Sequence, residues 1–322
     1  MSAAPAERSH RPFRFLAGVQ EVADGKKLAA DARRAEAMGY GGLVIPDHLV
    51  EQLAPVPALA TIAAATDRLR IGTFVLNNDL RHPAVLAQDL ASLDVLSGGR
   101  LDIGIGAGWN EPEYRAVGIA FEPVRTRVDR LTEAVAVLKG AFGDGPFSFA
   151  GRYYTITELD GQPKPVQRPH PPFLIGGGGR RTLTLAAREA QIVGLAPRIL
   201  PNGRGDPRSI TAAASAEKIA WVREAAGDRF DGLEFNVYPS MAPITVTDDA
   251  RAEARRLMDH FRQRTGYELT EEEVLEAPHL FVGSIDGLVD KIRSMRERLG
   301  ITSFMVGDID QLAPVVERLA GT

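Results

Sequence analysis

Cysteine is absent from the 322 residues, which excludes disulfide staples, thiolate catalysis and cysteine-ligated metals and leaves the redox compartment open. An excess of positive charge is missing too: 38 Lys and Arg face 42 Asp and Glu, for a net charge of −4. Without a basic footprint, nucleic acid is not an expected partner. No apolar run approaches the length that spans a bilayer and no charged-then-apolar leader opens the chain, so a membrane is not expected as a partner either. Also missing is a Gly-x-Gly-x-x-Gly run with a following acid; Gly104, Gly106 and Gly108 are spaced differently, which speaks against an open dinucleotide-binding sheet. What remains is a soluble, cytoplasmic chain, 44% hydrophobic, long enough for one large α/β domain or two ordinary ones. Met1 to Pro12 are small, polar and proline-bearing, so a disordered tail is expected there, with 13–322 as a single domain.

The most informative stretch is Arg100-Leu-Asp-Ile-Gly-Ile-Gly-Ala-Gly-Trp-Asn-Glu-Pro-Glu-Tyr114. Leu101 to Ile105 read as a short buried strand, and Gly104, Gly106 and Gly108 thin the backbone where a flat or phosphorylated ligand would approach. Asn110-Glu-Pro-Glu113 is a helix start, with Asn as N-cap, Pro in the first turn and acids at the positive end. A ligand mouth and a tight strand-to-helix turn are both consistent with this pattern.

Similar units recur along the chain. Strands are expected at Phe13–Gln20, Gly41–His48, Leu69–Leu76 and Leu101–Ile105. Helices are expected at Asp24–Met38, Pro57–Thr66 and Pro83–Leu96, and from near Glu111 and Val124. A hairpin at Phe147–Ile156 and a Pro-rich connection at Pro163–Pro172 interrupt the alternation. It resumes with strands at Pro172–Gly176, Gln191–Leu195, Gly232–Tyr238 and Ile301–Val306. The intervening helices are Thr182–Glu189, Thr211–Ala226, a charged helical insertion at Asp248–Ala277, Leu288–Leu299 and Ile309–Leu319. Eight strands alternating with helices predict an α/β fold, a closed (β/α)8 TIM barrel with insertions near 143–172, 197–210 and 241–282.

In such a barrel, chemistry collects at the C-terminal ends of the strands. Those ends carry Asp47-His48, Asn77-Asn78, Gly106 to Glu111 and Gly176 to Arg181. Each has a plain structural alternative: a loop cap, a hydrogen-bonded histidine, ordinary turn residues, a flexible loop. The glycine run Gly176–Gly179 ahead of Arg180, Arg181 and Thr182 is the strongest single signal, because consecutive N–H groups at a helix start beside arginines form a phosphate cradle.

These residues carry a family resemblance. Gly72-Thr-Phe-Val-Leu76, His82-Pro-Ala-Val-Leu-Ala-Gln88, Gly98 to Glu111 and Val282-Gly-Ser284 resemble the bacterial luciferase-like superfamily, in its actinobacterial branch dependent on the deazaflavin coenzyme F420. The likeness runs from about Phe13 to Val306, and flavin mononucleotide (FMN) relatives share most of these motifs. The resemblance implies a coenzyme lying across the strand ends, a non-prolyl cis peptide at Phe74–Val75 propping its ring, and Asn77 at the ring edge. It further implies Gly106, Ala107, Gly108, Trp109 and Asn110 beside the ring or its chain, with Gly177, Gly178, Gly179 and Arg180 at the phosphate. A homodimer is implied as well.

His48 is the expected catalytic residue, since hydride transfer to a deazaflavin needs a proton move at the substrate and imidazole suits that near neutral pH. Asp47 would either fix its tautomer or touch the coenzyme ring. Sugar-phosphate dehydrogenases of this branch place a Glu directly after the Gly-x-Gly-x-Gly run, where this chain has Trp109; Trp cannot supply that acid and is better suited to stack on substrate or coenzyme. Glu111 is the nearest carboxylate in sequence. No metal site is indicated. The expected function is hydride transfer between F420 and a small organic substrate. An FMN-dependent monooxygenase and a non-catalytic coenzyme-binding barrel are the alternatives.

Overall fold

The computed structural model describes residues 11–19, 24–200, 203 and 205–322. Most of the expected tail, Gln20 at the end of the first expected strand, and parts of the 197–210 loop lie outside the described residues. In chain order the first elements are β1 (Arg14–Gly18), α1 (Gly25–Ala37), β2 (Gly42–Ile45), α2 (Pro55–Ala65), β3 (Arg70–Thr73), β4 (Leu76–Asn77), α3 (Pro83–Leu96) and β5 (Leu101–Gly106). Next come α4 (Glu111–Ala116), α5 (Val124–Phe142), the hairpin β6 (Phe147–Ala150) and β7 (Thr155–Leu159), and β8 (Phe173–Gly177). The remainder is α6 (Arg180–Glu189), β9 (Ile192–Leu195), α7 (Ala212–Ala226), β10 (Glu234–Val237), β11 (Thr245–Val246), α8 (Ala250–Thr265), α9 (Glu271–Glu276), β12 (Val282–Gly283), α10 (Ile285–Leu299), β13 (Ile301–Met305) and α11 (Ala313–Leu319). Among the described residues no helix is long and apolar enough to cross a membrane.

The chain divides into two compact units. One comprises Gly18–Ala37 and Gly42–Ile175. Its strands pair in parallel, β2 on β3, β3 and β4 on β5, and β5 on β8. β2 is apolar and buried along its whole length, as befits a strand covered on both faces. α3 begins at Pro83, its N-cap His82 accepting the Ala84 N–H, and it stops before Gly98 and Gly99, both at positive φ. The expected third strand is broken: β3 ends at Thr73, β4 starts at Leu76, and the Phe74–Val75 peptide between them is cis.

The other unit comprises Met1–Ala17, Met38–Gly41 and Gly176–Thr322. Here β1 pairs with β13, β13 with β10 and β10 with β9, all parallel, with a register shift between Phe235 and Asn236. The Phe15 and Phe304 rings stack at 5.7 Å between centroids, and Phe13 meets both at a tilt, 6.2–6.4 Å away. The charged helical insertion consists of two helices, α8 and α9. Gly266 ends α8 in the left-handed region, and a Thr270–Glu273 capping box restarts the chain as α9. Leu257 and Phe261 of α8 and Val274 of α9 form a core together with Leu269 and Leu280 from the flanking chain. A short β11–β12 ladder beside it has no signal in the sequence. Counting β3 and β4 as one interrupted strand, the parallel strands are β1, β2, β3/β4, β5, β8, β9, β10 and β13, each followed by helix, which is the (β/α)8 class.

Candidate active site

Asp47 and His48 leave the end of β2 as neighbours in extended chain, so their side chains diverge. The buried Asp47 carboxylate accepts two bonds from the Arg81 guanidinium, at 2.5 and 3.0 Å, and one from the Asn77 backbone N–H at 3.0 Å. It therefore fixes the chain just after the cis peptide, and it is not the partner of His48. The His48 imidazole instead places Nδ1 2.9 Å from one Glu113 oxygen and 3.2 Å from the other. Glu113 is 6% exposed, so this is a sheltered contact and not a solvated surface pair. His48 Nε2 has no hydrogen-bond partner among the described residues, and the Trp109 ring meets the imidazole edge-on at 5.7 Å between centroids. Trp109 is half exposed.

Glu113 and Tyr114 were not among the expected site residues, although a signal for Glu113 exists. With about 100° between successive helical residues, Glu111 and Arg115 share one face of α4 and Glu113 falls on the opposite one. The structure realises this split. Glu111 and Arg115 form an exposed pair at 3.0 Å, whereas Glu113 and Tyr114 are buried. Asn110 takes the N-cap position, but its amide makes no capping bond.

The glycines in and after β5 serve the protein's own packing. A Cβ on Gly104 would sit 1.9 Å from the Thr73 carbonyl oxygen, and one on Gly106 would sit 2.9 Å from a Val75 methyl. These two positions let β5 pass beneath the kinked β3–β4 segment, and the Thr73 hydroxyl bonds both N–H and carbonyl of Gly104 there. Gly108 has φ +74°, and its Cβ would overlap the Tyr114 hydroxyl. The carbonyls of Ala107 and Gly108 are both claimed by the buried Arg127 guanidinium, which fixes the loop. Tyr114 Oη lies 2.9 Å from Asn77 Oδ1 and 3.1 Å from Asp79 Oδ2, and burial, then the Asp79 charge, push the phenol up to about 12. It is a donor at every physiological pH. Asp79 is in turn paired with Arg130 at 2.9 Å.

In the other unit, the Gly176–Gly179 run reaches α6 with Gly179 as N-cap and no side-chain cap. A Cβ on Gly177 would press on Thr182, and one on Gly178 would lie 2.3 Å from the Pro197 carbonyl oxygen. Those two glycines are thus required by neighbouring protein atoms. A Cβ on Gly179 would meet nothing within 4 Å. Arg180 extends to Glu224 on α7 in an exposed pair at 2.6 Å.

Residues 11–303 match the luciferase-like monooxygenase family. The chain belongs to that family. An F420-dependent glucose-6-phosphate dehydrogenase of Kineococcus radiotolerans is 37% identical over 172 residues, 51% of this chain and 50% of that protein. An FMNH2-dependent dimethylsulfone monooxygenase of Pseudomonas putida is 35% identical over 127 residues, 39% of this chain and 35% of its own length. The matched stretches thus span half or less of these curated relatives. The solved structure of a coenzyme F420 dependent tetrahydromethanopterin reductase from Methanopyrus kandleri superimposes with a TM-score of 0.75 at 21% identity, covering 96% of this chain and 98% of that one. That likeness establishes the (β/α)8 barrel fold, and the family is one of oxidoreductases and monooxygenases that work with a deazaflavin or a flavin.

Proposed function

We propose that this protein is an F420-dependent oxidoreductase acting on a small organic substrate, with His48 and Glu113 as its acid–base pair. The observation that carries the reading is the His48 Nδ1–Glu113 contact at 2.9 Å, which leaves Nε2 without a protein partner among the described residues. The buried carboxylate accepts the Nδ1 proton and so sets the tautomer with a basic Nε2. In the oxidising direction Nε2 takes the proton of a substrate hydroxyl as the carbonyl forms, and in the reducing direction it returns that proton. The coenzyme, when bound, supplies the hydride acceptor or donor. Asn77 is fitted to meet its ring, since its Nδ2 has no partner among the described residues while its backbone is held by Asp47. Trp109 in place of an acid, edge-on to His48, suits a substrate with an apolar or aromatic part better than a sugar phosphate.

FMN is the second candidate coenzyme, and the similarity to an FMNH2-dependent monooxygenase favours it. Titrating the purified protein with each coenzyme, by coenzyme fluorescence, separates the readings. F420 should bind at least tenfold more tightly, about 1.4 kcal/mol. Equal or reversed affinity favours the monooxygenase reading.

The uncapped start of α6 is proposed to hold the coenzyme phosphate, and Gly179 provides the clean test. Its φ of −110° suits any residue and the space beside it is open, so Gly179→Val should leave the melting temperature unchanged. A side chain there would screen the helix N–H groups, and binding of both coenzymes should weaken by about tenfold or more, the worth of one to two charge-assisted hydrogen bonds. Unchanged titration curves would remove the phosphate from this site. Gly178→Val would not serve, because it collides with Pro197 whether or not a ligand is present.

A further inference from the structure

We infer that Tyr114 is a positioning residue that, together with the Asp79 backbone N–H, holds the Asn77 amide with its donor end toward the coenzyme; this rests on the F420-or-flavin reading above. Asn77 Oδ1 receives two donors, the Asp79 backbone N–H at 3.1 Å and the Tyr114 hydroxyl at 2.9 Å. A backbone N–H only donates, so the amide nitrogen cannot occupy that place. With both acceptor directions of Oδ1 filled, the sole free function of the side chain is the Nδ2 donor pair.

The Tyr114 proton has two further acceptors in reach, Asp79 Oδ2 at 3.1 Å and the Ala107 carbonyl at 3.4 Å. Asn77 Oδ1 is the nearest of the three, and Arg130 engages Asp79 through its other carboxylate oxygen at 2.9 Å. Gly108 has to lack a Cβ because the same hydroxyl fills that space. Tyr114 follows Glu113 directly on the buried side of α4, so one short helix positions both the carboxylate that orients His48 and the hydroxyl that orients Asn77. A substrate-side proton donor and a coenzyme-side hydrogen-bond donor are thereby set by the same turn of backbone.

The experiment is a double-variant cycle on coenzyme binding, read by fluorescence titration and by the absorption maximum of bound F420 or FMN, whichever the parent binds. Tyr114→Phe keeps the ring, 0% exposed, and removes only the hydroxyl. It should weaken binding about tenfold and displace the absorption maximum, because the amide presents its donor less firmly to the ring. In an Asn77→Ala background the same substitution should change neither quantity further. Parent-like affinity and spectrum for Tyr114→Phe, or losses that simply add in the double variant, overturn the inference while the coenzyme reading stands. A parent protein that binds neither coenzyme overturns both. Should Tyr114→Phe fail to fold, the unmodified protein decides: coenzyme should shift the Asn77 side-chain amide pair in a 15N–1H spectrum, assigned by its loss in Asn77→Ala. No shift overturns the inference.

Discussion

His48→Ala should cost about 100-fold or more in turnover while coenzyme affinity stays at the parent value, the loss expected when general acid–base help is removed. The imidazole makes no bond that holds the backbone. Among the described residues its one hydrogen-bond partner is the Glu113 carboxylate, and its neighbour Asp47 performs the structural task through Arg81 and Asn77. Removing the ring therefore deletes a proton carrier without loosening the Phe74–Val75 segment. Glu113→Gln retains an oxygen able to accept the Nδ1 proton and should lose less activity than Glu113→Ala, which frees the ring. Steady-state turnover and coenzyme titration on the same preparations check both points. A His48→Ala protein with parent turnover would reduce the pair to a structural contact, and a coenzyme-binding protein with no turnover on any hydroxyl or carbonyl compound would favour a non-catalytic barrel.

The stability of the protein should fall steeply between pH 6.5 and pH 3, and His279 should account for a large part of the fall. This residue is fully buried ahead of β12, its Nδ1 3.1 Å from the Tyr238 carbonyl oxygen and its Nε2 sealed without a hydrogen-bond partner among the described residues. A carbonyl only accepts, so Nδ1 carries the proton and the ring is neutral. Burial first, and then the positive charge of Lys218, lower its pKa to about 3. Between pH 6.5 and 3 the unfolded chain binds a proton that the folded chain refuses, so stability declines as pH drops through that window. At pH 4 the decline amounts to roughly 3 kcal/mol relative to pH 7, taking 1.36 kcal/mol per pH unit.

His279→Gln keeps a donor for the Tyr238 carbonyl and cannot titrate, so urea midpoints from pH 7 to pH 4 should be flatter for the variant. Parallel curves for parent and variant would show that carboxylates alone cause the acid lability. Lys291 acts in the opposite window. Burial lowers it to about 7 while its ammonium reaches the Leu280 carbonyl, so its contribution to stability increases as pH rises from 7 toward 10.5.

Local chemistry accounts for what was legible in the sequence. Pro83 and the Gly98-Gly99 pair mark the limits of α3 because φ restriction and positive-φ tolerance act within a residue or two. The apolar run of β2 and the alternation of strand and helix disclose a barrel, since burial on both strand faces leaves no polar positions. His48 could be picked out from its place at a strand end, and the Phe74–Val75 peptide from the likeness of its surrounding motif. Partners were another matter. His48 meets Glu113 across 65 residues and Asp47 meets Arg81 across 34, and each pairing depends on how strand ends and helix starts are stacked. The glycines Gly104, Gly106 and Gly108 suggested room for a ligand; tertiary packing assigns the first two to Thr73 and Val75 and the third to Tyr114. Nothing near His279 in the sequence announces a sealed imidazole, because its burial comes from elements that lie far along the chain. The sequence by itself determined the elements and the family, through preferences that act over a few residues. Which carboxylate orients the histidine, which hydroxyl orients the asparagine and why each glycine is there were decided only by tertiary structure, because distant side chains must converge before any of those contacts exists.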